Sequence, residues 1–343
     1  MQHAETLPRG VHLALSATAL LWAVAAAPIA LDAAQGIAVR LQLDIVEPLL
    51  TGLFLVFLLL VGFRALDAVA ARGLFRDDVL RLPARSSRWS EWGTGAAVGW
   101  GLALVVVLPI FASGHLHGRF AWRMDNLAAV LAAGATLLVL SLAEEMIFRG
   151  YPFQRLSAAI GESWAAVLLS ALFAATLVFA RPPVQFVSAL LDCMLFGLLL
   201  SMAFLRTHAL WLGWGLHFTY RALIGLAFGL PLVGYGDSGS VAQLSAFGPA
   251  WLTGGSFGPD AALLTIVAML LAMAALYRVT KEFAWQFTHA PIRSGGYEVS
   301  IPPPAAHVAM ESAASPPPPP LVQIRPVTPR ESSAGTQVRS DSE

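Results

Sequence analysis

The chain has 343 residues, of which 57% are hydrophobic and 12% are charged, and its mean hydropathy is +0.68. Soluble globular domains carry roughly 25% charged residues, so this composition excludes an ordinary soluble domain and indicates a membrane protein. The net charge is zero, so we expect no nucleic-acid partner. A single cysteine, Cys193, excludes an intrachain disulfide and a cysteine-based metal cluster.

Eight apolar segments have about the 20 residues that a helix needs to span a bilayer. They cover approximately residues 11–31, 45–63, 93–113, 127–148, 164–180, 184–205, 209–230 and 261–277. We therefore predict an all-α fold, a polytopic membrane helix bundle of about eight transmembrane helices. Residues 11–31 are a retained helix or a cleaved signal, because Ala25, Ala26 and Ala27 resemble a small-residue cleavage site.

The basic residues are distributed unequally between the two sides of this bundle. Most arginines fall near the N-terminus, in the loops 64–92 and 149–163, at the turn around Arg206 and near the C-terminus. The opposite side holds only Arg40, Arg119, Arg123 and Arg181. Because cytoplasmic loops are rich in arginine and lysine, we expect a multi-pass protein of the cell inner (plasma) membrane with both termini in the cytoplasm.

The composition also divides the chain into three parts. Residues 1–126 contain the N-terminal transmembrane helices and a cytoplasmic loop, and residues 127–285 form a core that carries the motifs described below. Residues 286–343 are rich in proline and serine and are expected to be a disordered cytoplasmic tail. The Gly/Ser-rich outer loop 231–260 is expected to be a connector, with a lid as the alternative.

Two adjacent acids, Glu144 and Glu145, stand at the end of the fourth apolar segment, where charges are costly. Glu145 lies four residues before Arg149, so the two can pair on one face of a helix. Glu144 is turned about 100° away and lacks that partner, which leaves it available for chemistry. The alternative is a polar helix end in which Arg149 reaches the lipid headgroups.

Other ionisable residues inside the predicted spans are Asp192, His217 and Arg221. His217 and Arg221 are four apart and share a helix face, with His217 roughly 12 Å from the cytoplasmic end of its segment. Glu144 lies about one turn inside the same side. We expect the carboxylate, the imidazole and the guanidinium to meet in one cavity open to the cytoplasm, although separate structural polar pairs remain the alternative.

The stretch Glu-Glu-Met-Ile-Phe-Arg-Gly-Tyr at 144–151 resembles the EExxxR signature of the CPBP family of intramembrane proteases. This family includes the type II CAAX prenyl endopeptidases and bacterial Abi-like proteins. Two later stretches, 206–217 and 254–260, are similar to bacterial members in content and order. The resemblance covers about residues 127–277.

The resemblance implies that Glu144 is the general base that activates water and that Arg149 supports the site. The second family motif, FxxxH, corresponds to residues 173–177, where Leu177 stands in place of the histidine. The third motif, HxxxN or HxxxD, begins at His217 and ends with Arg221 in place of Asn or Asp. The expected catalytic set is therefore Glu144, Glu145, Arg149, His217 and Arg221.

Three functions follow from these motifs. The first is a membrane-embedded endopeptidase that cleaves a membrane-associated peptide or protein in contact with the lipid bilayer, with water activated by Glu144. The second is a catalytically silent family member that binds a membrane partner, which the loss of the motif histidine at Leu177 favours. The third is a small-solute carrier. Because Leu177 cannot be a metal ligand, no bound zinc and no other cofactor is expected.

The position of Arg221 distinguishes these functions further. A buried guanidinium requires an acidic partner or a water-filled cavity. We expect Asp192 to be that partner, because it has no other evident reason to lie in the sixth segment; Arg221 can then face the substrate carbonyl as an oxyanion donor. In the opposing alternative Arg221 pairs with Glu144 and occupies the lone pairs of the proposed base.

Overall fold

Apolar helices make up most of the computed structural model, which describes residues 7–42, 44–70, 81–120, 127–180, 182–232 and 240–283. Within these residues, six helices are long and apolar enough to cross a membrane. They are α1 (Arg9–Leu41), α2 (Glu47–Ala70), α3 (Arg88–Ala112), α4 (Leu127–Arg149), α6 (Glu162–Ala180) and α7 (Phe186–Thr207). The shorter helices are α5 (Tyr151–Ile160), α8 (Leu210–Arg221), α9 (Ala250–Thr253) and α10 (Leu263–Val279).

The predicted all-α polytopic membrane bundle is confirmed. The six long helices coincide with the first six predicted spans. The predicted span 209–230 is α8 followed directly by a π-helix, Ala222–Ala227, and the predicted span 261–277 is the 17-residue α10. Helix α5 lies within 149–163, which the sequence analysis treated as a loop. The predicted tail, 286–343, lies outside the described residues.

Contacts at the two ends of the bundle join the loops that the sequence assigned to the same side. Strand β1 (Leu116–Phe120) pairs antiparallel with β2 (Ala242–Ala246), which links the loop after α3 to the segment after α8. At the opposite end, the Leu210 N–H donates to the carbonyl of Arg81 over 2.8 Å. These contacts agree with the predicted grouping of the loops into two sides, while the assignment of one side to the cytoplasm stays a prediction. The strand pair was not predicted.

Helix α8 packs against α3 through direct backbone contact at glycines. A Cβ atom added to Gly99 would lie 2.4 Å from the carbonyl oxygen of Leu216, and one added to Gly215 would lie 2.2 Å from that of Trp92. Lipid tails are as apolar as the helices, so close packing of small residues replaces the hydrophobic effect in holding membrane helices together. These glycines fix the distance between the two helices.

The N-terminal helices pack on the other flank of the bundle. Helix α1 buries a stripe of small residues at helical spacing, namely Ser16, Ala19, Ala23, Ala26, Ala30, Ala34 and Ala38. The Ser16 hydroxyl donates to the carbonyl of Pro152 in α5, and Arg155 of α5 forms an ion pair with Asp67 of α2. Helix α5 is thereby tied to both α1 and α2 immediately after the end of α4.

The contact between α3 and α8 leads to a stability prediction with a matched control. Gly99→Ala places a methyl group against backbone of α8 and should destabilise the protein by about 1–3 kcal/mol, as overpacking does. Gly101→Ala adds the same methyl group where no atom lies within 4 Å, and should leave stability nearly unchanged. Thermal melting in detergent compares the variants, and equal melting temperatures would contradict the proposed role of Gly99.

The arrangement of the loops leads to a topology prediction. A reporter fused after residue 80 should lie in the cytoplasm and one fused after residue 245 outside, because arginines concentrate on the first side. Paired reporters that are active on opposite sides of the membrane measure this. The same location for both fusions would contradict the topology and the placement of the candidate site together.

Candidate functional site

The end of α4 and the length of α8 bring the five predicted site residues together. Glu144, Glu145 and Arg149 occupy the last two turns of α4, and His217 and Arg221 lie one turn apart on α8. The Trp214 indole donates to the carbonyl of Leu138 over 2.8 Å, so the two helices are in contact just beside the site. The predicted meeting of carboxylate, imidazole and guanidinium is observed, whereas the opening to the cytoplasm and the catalytic roles stay predictions.

Glu145 is fully buried and lies between two cationic or potentially cationic groups. Its Oε1 atom is 3.5 Å from Nη1 of Arg149, which is the pair expected from their spacing. The same Oε1 atom is 2.7 Å from Nδ1 of His217, a contact that the sequence did not reveal. An ionised Glu145 only accepts hydrogen bonds, so a neutral His217 ring paired with it carries its proton on Nδ1 and leaves Nε2 as an acceptor.

Arg149 is buried on all sides and turned away from the lipid. Its Nη2 donates to the carbonyl of Gly197 in α7 over 2.8 Å, and its guanidinium lies 4.9 Å from the centre of the Phe173 ring. The residue has no exposed surface, so the alternative of an arginine that reaches the headgroups is wrong. Arg149 instead joins α4 to α6 and α7 beneath Glu145.

Glu144 meets Arg221, which corrects two expectations. Its Oε1 atom accepts a hydrogen bond from Nη1 of Arg221 over 2.9 Å, so Glu144 does have a cationic partner, supplied by α8. Asp192, the partner expected for Arg221, has no hydrogen bond from any described residue. The physical reason is the direct contact of α8 with α4, which turns His217 toward Glu145 and Arg221 toward Glu144.

Two acceptor atoms converge between the helices. Glu144 Oε2 lies 3.5 Å from His217 Nε2, and within the described residues neither atom has a hydrogen-bond partner. The Glu144 side chain is 24% exposed, whereas His217 is fully buried and packed edge-on against Phe173 and Phe196. Both atoms are shielded from solvent, so a water molecule can donate to this pair of acceptors only when the side chains around them move apart.

Leu177, at the place of the motif histidine, lies beside the site in the wall of a small cavity that Arg221 also lines. Asp260 lines the same cavity and accepts a hydrogen bond from the Tyr220 hydroxyl over 2.7 Å. Asp260 belongs to the stretch 254–260, and no role was predicted for it from the sequence. Within the described part of the chain, no three His, Cys, Asp or Glu side chains are grouped so as to hold a metal ion.

Comparison with known proteins gives a family match over the segment that contains the candidate site. Residues 126–223 match the family model of the Rce1-like type II CAAX prenyl endopeptidases, a segment that contains all five site residues and Leu177. No curated protein and no solved structure gives a significant match. Residues 126–223, which hold the whole candidate site of this polytopic membrane protein, are therefore similar to the type II CAAX prenyl endopeptidases of the CPBP family.

Proposed function

We propose that the protein is a membrane-embedded endopeptidase that hydrolyses a membrane-associated peptide or protein, with a water molecule activated by Glu144. One observation carries the proposal. Glu144 Oε2 and His217 Nε2 are 3.5 Å apart and have no hydrogen-bond partner within the described residues. The arginine distribution supports a location in the plasma membrane with both termini in the cytoplasm.

In the proposed reaction, a water molecule donates one hydrogen bond to Glu144 and one to His217. Glu144 takes a proton from the water molecule while the water oxygen attacks the carbonyl carbon of the scissile peptide bond. The C–N bond then breaks, and the proton passes to the nitrogen that leaves as an amine, which restores the Glu144 carboxylate. A positioned base of this kind contributes about 100- to 10,000-fold to rate.

In the family, the FxxxH histidine that assists the glutamate would lie in α6, at the position of Leu177. In this chain the assisting imidazole is that of His217 in α8. Leu177 cannot hold water, but His217 is oriented for the task by the hydrogen bond from its Nδ1 to Glu145. A carboxylate that fixes the tautomer and orientation of a histidine is the arrangement found behind catalytic histidines in general. Glu145 and Arg149 therefore act as positioning residues, because they reach the proposed water only through His217.

A catalytically silent member is the second candidate, and one contact favours it. Arg221 occupies Oε1 of Glu144 over 2.9 Å, at the motif position where the family has Asn or Asp. The proposed base thus retains one of its two oxygens for water. A protein of this kind would bind a membrane peptide at the same place without cutting it.

The two glutamates are predicted to respond differently to loss of charge. Glu145→Gln leaves the buried Arg149 without its carboxylate and should destabilise the protein by about 3–5 kcal/mol. Glu144→Gln keeps an amide oxygen for Arg221 and should alter stability much less, but abolish cleavage. Detergent melting and a peptide-cleavage assay in liposomes measure both effects.

Glu162→Gln is the control for these variants, because Glu162 begins α6 with an exposed side chain. It should match the parent in melting and in cleavage. If Glu144→Gln unfolds the protein while Glu145→Gln does not, the roles of the two carboxylates are reversed.

Substitutions at Arg221 and Leu177 distinguish an active endopeptidase from a catalytically silent family member. In an active parent, Arg221→Asn should lower the cleavage rate by about tenfold or more, because Arg221 holds one oxygen of the base in place. The assay uses prenylated and unprenylated CAAX-type peptides in liposomes, and the double variant Leu177→His with Arg221→Asn restores the family motifs. A parent that cuts nothing, together with a double variant that cuts, would contradict the endopeptidase and support the silent member.

A further inference from the structure

Arg221 of α8 and three residues of α7 line a small cavity. Its walls are formed by Leu177, Asp192, Cys193, Phe196, Arg221, Asp260 and Met269. The cavity offers about 10 Å³ to the centre of a water molecule, which is close to the minimum that one ordered water requires. Such a space holds water only when polar groups supply two to four hydrogen bonds.

Asp192 is a buried residue of this cavity that lacks a hydrogen-bond partner among the described residues. The residue is 1% exposed, and neither of its carboxyl oxygens has a partner within the described residues. A buried polar group without a hydrogen bond costs about 1–3 kcal/mol, and a charged one costs more. The neighbouring Asp260 accepts from Tyr220 and cannot donate to Asp192 while it is ionised. A carboxyl group retained in this position therefore requires another donor.

We infer that this cavity binds one water molecule between Asp192 and Arg221, and that Asp192 is a positioning residue for the Arg221–Glu144 pair. An N–H of the guanidinium donates to the water oxygen, and the water donates to the Asp192 carboxyl. Arg221 is then held on both sides, by Glu144 Oε1 at 2.9 Å and by the bound water. The effect on cleavage rests on the proposed function, whereas the water site does not.

The first test is an experimental structure of the full chain at a resolution that shows ordered water. The parent should show density for one water between Asp192 and Arg221, and Asp192→Leu should lose it because the apolar side chain offers no hydrogen bond. Cys193→Ala is the matched control, because it changes the same wall without removing a carboxyl group, and should retain the water. A parent without this density, or with a bound cation in its place, would overturn the inference.

The second test measures coupling between the two residues without any substrate. Asp192→Leu and Arg221→Met are made singly and together, and melting temperatures in detergent complete the double-mutant cycle. Residues that share a hydrogen-bonded network give non-additive effects, so the effect of Asp192→Leu should change when Arg221 is absent. Additive shifts would show that Asp192 does not act on Arg221 and would overturn the positioning role.

The third test uses cleavage of a reconstituted membrane peptide. Asp192→Leu should lower kcat by about tenfold with little change in KM, because the substrate is still bound while Arg221 is less well placed. Asp192→Asn keeps an oxygen for the water and should recover most of the rate. Asp192→Leu with the parental kcat would overturn the positioning role. A parent that cuts no peptide would contradict the proposed function, and the inference would then be decided by the water density and the coupling.

Discussion

Charges buried within the membrane bundle must be compensated inside the protein, and this requirement organises the site. Glu145 pairs with Arg149 along α4, Glu144 pairs with Arg221 across to α8, and His217 lies between the two carboxylates. Breaking one pair leaves an uncompensated charge in a region with little water, which is strongly destabilising. The packing of α8 therefore has to place two side chains correctly at once, and its glycine contacts with α3 restrict the positions that it can adopt.

The sequence predicted the contacts within one helix, but between helices it predicted only that the carboxylate, the imidazole and the guanidinium meet. Helical spacing predicted the Glu145–Arg149 pair and the common face of His217 and Arg221. It could not say which carboxylate each residue of α8 would meet, because that depends on the rotation of α8 about its own axis. The expected partner of Arg221, Asp192, was wrong for this reason, and the contact between Glu145 and His217 was missed.

The same distinction holds for the fold. Long apolar segments predict membrane helices well, because a helix that spans the bilayer satisfies all of its backbone hydrogen bonds internally. The strands β1 and β2 are five residues each and lie more than a hundred residues apart, so neither has a local pattern that predicts the pairing. Helix α5 has only ten residues and follows α4 after a single glycine. It was not predicted, because the charged residues before Gly150 were interpreted as the end of a membrane helix followed by a loop.

The two departures from the family motifs become related when the structure is considered. Leu177 and Arg221 line one cavity, and Asp192 and Asp260 complete its polar wall. Asparagine at position 221 would leave these two acids and Glu144 without the positive charge that Arg221 brings to this region. Arg221 thus holds one oxygen of Glu144 and also lines the cavity that contains Asp192 and Asp260, so the chemistry of Glu144 depends on where this guanidinium lies.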